Sequence, residues 1–184
     1  MKLKFLFAAP LALLVVAACE TTSSRPYQMS TENVLAAQQA LEGSDAKFNV
    51  GSFSAAQGVD EAPTCRALGT IEVAPGQSPV DYIREALQTE LFAADLVAAN
   101  GTAITGVVET LQFNSFGTGS WDVALQLSSP AMPEGYSVST HYEFSTSFSA
   151  INACQNVIDA FQPTVASLLN AAINDPRFAQ LAGE

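Results

Sequence analysis

His141 is the single histidine of the chain, and Ser137, Ser139, Ser145 and Ser147 with Glu143 lie around it at alternating positions. Histidine, hydroxyl and carboxylate are the parts of a nucleophilic hydrolase, which also needs a group that orients the ring and a strained turn or donors for an oxyanion. None of these is recognisable, so His141 reads as a solvated strand residue. Gly117-Thr118-Gly119 matches a phosphate loop in composition only, because it joins two strands and opens no helix whose dipole would face an anion. A hairpin turn accounts for its glycines. Asp60-Glu61 is a loop pair, and no cluster of His, Cys, Asp and Glu has metal-ligand spacing. The expectation is a non-enzymatic chain with no catalytic residue, metal or cofactor.

Cys19 has a different kind of chemistry. Lys2 and Lys4 give a cationic start, Phe5 to Ala18 carries no charge, and the small pair Ala17-Ala18 sits directly before the thiol. This is the pattern of a secretory signal. Its apolar run of roughly 14 residues falls short of the about 20 that span a bilayer, and the alternative is an uncleaved anchor or a buried helix. Val16-Ala17-Ala18-Cys19 resembles the lipobox of bacterial lipoproteins. That resemblance implies removal of residues 1–18, acylation of Cys19 as the new first residue, and a membrane partner reached through lipid. Glu20, in place of Asp, implies the periplasmic face of the outer membrane. With Cys19 taken by lipid, Cys65 and Cys154 remain as an even pair in an oxidising compartment and are expected to be joined. The alternative is two separate buried thiols. There is no C-x-x-C, and no basic cluster stands near either cysteine to lower its pKa.

Removing residues 1–18 leaves 166 residues, the size of one ordinary domain, with 5 basic residues against 18 acidic ones. Clustered Lys and Arg are what nucleic acid demands, so a nucleic-acid partner is excluded.

The small polar run from Cys19 to Ser30 reads as a flexible tether, and residues 31–184 as a single α+β domain. Ser30 or Thr31 caps a helix to about Glu42, with Val34, Leu35, Ala37 and Leu41 at helical spacing. Lys47 to Ser54 alternates as a first strand. A long loop holding Cys65 follows, then a short edge strand over Gly69–Val73. Ser78-Pro79-Val80-Asp81 is the strongest helix start, with Ser78 as cap and Asp81 facing the dipole. That helix extends to about Ala98. Thr102 to Phe116 carries apolar groups on both faces, which implies a central strand with a bulge. Trp121, Val123, Leu125 and Leu127 alternate against Asp122, Ala124, Gln126 and Ser128. Tyr136, Val138, Thr140, Tyr142, Phe144 and Phe148 then alternate against Ser137, Ser139, His141, Glu143, Ser145 and Ser147. The last helix runs from about Ser149 to Asn174, and Pro163 is expected to kink or break it near Phe161.

Two main amphipathic helices on one face of a four- to five-stranded, mostly antiparallel sheet is the expected architecture. Lipobox, tether, strand, capped helix, meander and closing helix in this order resemble small outer-membrane lipoproteins of Gram-negative bacteria, of the lipopolysaccharide-assembly and ABC-transport-auxiliary types. The polar sheet face, with Ser137, Ser139 and Gln126 at its centre, is the candidate surface for an envelope protein partner. The alternative is a periplasmic carrier or sensor with an apolar cavity lined by Phe113, Trp121, Leu125 and Phe144.

Overall fold

The computed structural model describes residues 26–184, so the expected signal segment 1–18, Cys19 and the expected tether up to Arg25 lie outside the described residues. The chain forms α1 (Thr31–Ala40), β1 (Phe48–Ala55), α2 (Pro79–Ala93), β2 (Thr102–Asn114), β3 (Gly119–Ser128), β4 (Tyr136–Phe144) and α3 (Ala150–Ile173), closed by a 3-10 turn over Ala179–Ala182. The strands lie side by side in sequence order. β2, β3 and β4 form an antiparallel meander, and β1 runs parallel to β2. The parallel pair follows from α2, which carries the chain back between them. A register shift between Val108 and Thr110 supplies the bulge in β2 that its two apolar faces imply.

The fold is α+β, with its helices packed on the sheet. α2 packs against β1 and α3 against β3 and β4, while α1 lies across α2 and α3 as an outer layer. Three helices therefore build the helical side where two were expected to dominate. Trp121 is fully buried at the centre, with the rings of Phe113 and Phe161 at 5.0 and 4.9 Å and its Nε1 donating to Val157 O at 2.8 Å. Tyr82 continues this aromatic row at 5.3 Å from Phe161. Each large aromatic buried in this way contributes about 1.5–3 kcal/mol of hydrophobic stabilisation.

Polar groups hold α1 in place. Its buried residues are Asn33 and Ala37, whereas Leu35, expected inward, is exposed. Asn33 Nδ2 donates to Ala166 O and Asn33 Oδ1 accepts from Asn170 Nδ2, each at 2.9 Å. Glu90, fully buried on α2, accepts at Oε1 from Tyr27 Oη (2.5 Å), Ser30 N (2.8 Å) and Asn33 Nδ2 (3.4 Å). Residues 27–30, read from composition as the end of the tether, are thus fixed to the domain.

The expected edge strand at Gly69–Val73 does not form. Isolated pairs, Thr64 with Thr70 and Ala74 with Gln77, take its place, because the bridge at Cys65 and the turn at Gly69 hold this segment as a tight loop. α2 ends at Ala93, short of Ala98. Asp95 turns the backbone left-handed (φ 60°), and Val97 pairs with Phe48 instead. α3 runs unbroken through Pro163. The buried row Phe161, Val165, Leu168 and Leu169 offsets a proline penalty of about 3 kcal/mol. Phe148 lies beyond the end of β4 and is fully exposed, so it is not part of the core.

Candidate functional site: the open face of the sheet

Strand register assembles the candidate face. Asp122 stands opposite His141, Ala124 opposite Ser139 and Gln126 opposite Ser137 across β3 and β4. On the other side β2 contributes Gln112, Thr110 and Val107 at the same levels. Ser137, Ser139, His141 and Glu143 are exposed, and Asp122, Ala124, Gln126 and Ser128 are half-buried on the inner strand. Successive strand residues alternate faces, so the large apolar side chains of β3 point to the helices and the polar ones to the open side. The result is a surface of hydroxyls and amides with Val107 and Ala124 among them and Asp122, His141 and Glu143 at one end.

Of the residues chosen for partner binding, Ser137 and Ser139 stand free on the edge strand. Gln126 lies one strand in and donates from Nε2 to Glu134 O at 3.2 Å, which ties the Pro130–Gly135 turn to the face. Thr105 and Ser128 share a hydroxyl hydrogen bond at 3.0 Å further along. Ser145 and Ser147 do not extend the row as alternation implied, because β4 stops at Phe144. Their carbonyls instead accept from Asn156 Nδ2 and from Arg66.

His141 faces two carboxylates on this surface. Its Nδ1 meets Asp122 Oδ1 at 2.6 Å, and its Nε2 faces Glu143 Oε1 at 3.7 Å. The Asp122 hydrogen bond and charge, with a smaller contribution from Glu143, hold its pKa above the ordinary histidine value. Both ring nitrogens therefore address carboxylates. A Ser-His-acid relay would need a hydroxyl at one of them.

Away from this face, Cys65 and Cys154 are joined, with Cα atoms 5.8 Å apart and 89 residues between them. Next to the bridge lies a group the sequence did not single out: Arg66, Phe116 and Phe148 line a shallow surface dip with Gly117, Thr146 and Ser147. Arg66 lay in a loop of no evident pattern, and its partners are distant in sequence. Only the unusual length of that loop pointed to it.

Among the described residues, no group of three or more His, Cys, Asp and Glu is placed to hold a metal ion, and no helix is long and apolar enough to cross a membrane. No protein-family model matches the chain, and no curated protein matches it. Among solved structures, the chain is similar to a protein from Xanthomonas campestris of the family DUF330, at 13% identity and a TM-score of 0.48, over 70% of this chain and 84% of that one. It is also similar to an uncharacterized protein at 9% identity and a TM-score of 0.40, over 67% of this chain and 90% of that one.

Proposed function

We propose that the mature chain is a lipoprotein anchored through Cys19 to the periplasmic face of the outer membrane, where it serves as a non-enzymatic accessory that binds another envelope protein. The observation that carries the docking reading is the one-sided layering of the sheet. Helices cover one face, while the other offers a flat row from Asp122 to Ser128 and from Ser137 to Glu143. Flat docking or strand addition at the β4 edge is the recognition such a surface supports. The anchor reading rests on Val16-Ala17-Ala18-Cys19 and the signal pattern before it.

A carrier of an apolar ligand is the less favoured reading. Trp121 and Leu125, which would line its cavity, are fully buried, and the space beside Trp121 is filled by the rings of Phe113 and Phe161.

Ser139→Arg tests the docking face in the full-length, membrane-bound protein. A large charged side chain on an exposed strand position should leave folding stability within about 0.5 kcal/mol of the parent. The expected result is loss of the protein from its envelope complex on native electrophoresis. An unchanged complex would contradict the role of this face. Cys19→Ser should leave residues 1–18 uncleaved by the lipoprotein peptidase and the chain without acyl groups by mass, and normal acylation would contradict the anchor.

A further inference from the structure

The end of the sheet where β2 turns into β3 carries apolar surface that the core does not use. Phe116 is 65% exposed and Phe148 fully so, and Leu68 and Ile151 are 54% and 63% exposed. Loose loops would let such side chains fold back, but here three segments are fastened together. Arg66 donates from Nε to Ser115 Oγ (3.2 Å) and from its terminal nitrogens to Ser115 O, Ser147 O (3.1 Å) and Phe148 O (3.4 Å). Its guanidinium lies 4.4 Å from the Phe116 ring centroid. The neighbouring Cys65–Cys154 bridge ties the same loop to α3, and Thr146 Oγ1 donates to Ser115 O at 2.6 Å. The rings are held outward on a rigid frame. The dip between them, about 290 Å³, has no acidic residue in its lining, although the chain is strongly acidic. A rigid apolar patch of this kind marks a protein or membrane contact.

The position of the chain's entry into the domain favours the membrane. Gln28 O accepts from Gln162 Nε2 on α3 at 3.4 Å, eleven positions after Ile151. At the helical rise this is about 16 Å along the axis from the patch. Nine residues connect Gln28 to Cys19, a reach of at most about 30 Å. A tether of that length lets the patch reach the bilayer that would hold the lipid on Cys19.

We propose that Phe116 and Phe148 insert into the interfacial layer of the same bilayer that holds the lipid on Cys19. This rests on the anchor proposed above. An apolar contact adds to the hold of the acyl chains, and a contact at the strand ends sets the strands steeply to the membrane. The open sheet face then points sideways, toward a neighbour in the same envelope layer.

The test uses the full-length protein purified from a lipoprotein-processing bacterium, with the acyl mass on the Cys19 peptide measured first. It is reconstituted into phosphatidylethanolamine and phosphatidylglycerol vesicles containing lipids brominated along the acyl chain. Phe148→Trp is compared with Phe92→Trp, an exposed position near the C-terminal end of α2, against the constant signal of buried Trp121. The expected result is a blue shift and loss of emission for Phe148→Trp, with neither for Phe92→Trp. Acylated protein whose Phe148→Trp emission is neither shifted nor quenched overturns the insertion and leaves the anchor standing. A blue shift without quenching means that a second copy of the chain covers the patch, which also overturns it. An unacylated Cys19 removes the anchor and this proposal together.

Discussion

Glu90 shows how a single buried polar residue fixes a segment far from it in sequence. Its Oε1 gathers Tyr27 Oη, Ser30 N and Asn33 Nδ2 from a segment whose composition reads as linker. Tyr27→Phe removes one of these donors at a buried acceptor, and a loss of about 1–3 kcal/mol is expected by urea unfolding. The same contact shapes the alkaline limit of stability. Burial, then the hydrogen bond and charge of Glu90, holds the Tyr27 pKa well above its ordinary value of 10, and burial pushes Tyr82 up to about 12. Folding keeps protons on these phenols that the unfolded chain releases above pH 10. The stability they contribute is therefore complete below pH 10 and is lost as pH rises beyond it. Tyr27→Phe should lessen that alkaline slope, and an unchanged slope would refute the assignment. On the open face, His141 should titrate above its ordinary value of 6.5 by NMR, and Asp122→Asn should bring it down, because Asp122 is the first cause of the shift. The polar nature of this face is legible from alternation. The pairing of His141 with Asp122 is not, since it needs the β3–β4 register.

Elements with strong local signals are read correctly from sequence, and those fixed by distant contacts are not. Ser78, Pro79 and Asp81 act within four residues, and the start of α2 follows from them. The end of α2 depends on the pairing of Val97 with Phe48, which no helical period reveals. The alternation of β4 continues in sequence to Phe148, but the strand stops at Phe144 where Arg66, from a loop almost 80 residues earlier, takes the carbonyls of Ser147 and Phe148. A period of two gives the faces of β1 but not its direction, so the parallel pair had no sequence signal. Close approach of β1 and β2 shows at Gly101, where a Cβ would lie 2.6 Å from Lys47 O. Gly101→Ala should cost about 1–3 kcal/mol through overpacking against backbone, as measured by the urea midpoint. Removing the bridge as Cys65→Ala with Cys154→Ala should cost about 2–5 kcal/mol. It should also raise protease cleavage in the loop between β1 and α2, and a loop equally resistant without the bridge would show that Arg66 alone fixes it.

At the scale of the whole molecule, the sheet has two different sides and two different ends. Apolar side chains of β2, β3 and β4 are covered by α2 and α3, with α1 as a further layer, and the opposite side stays polar and flat. One end of the strands carries the fastened patch at Arg66, Phe116 and Phe148. The central claim is the proposal that this domain, anchored through Cys19, offers its uncovered face to a partner. Its most direct test is crosslinking in living cells from a photoreactive residue at Ser139 and at Gln126, with Gln88 on the exposed side of α2 as the control. Capture of one discrete envelope protein from both sheet positions, and not from Gln88, is the predicted result. Capture of lipid alone, or the same products from all three positions, would contradict the account.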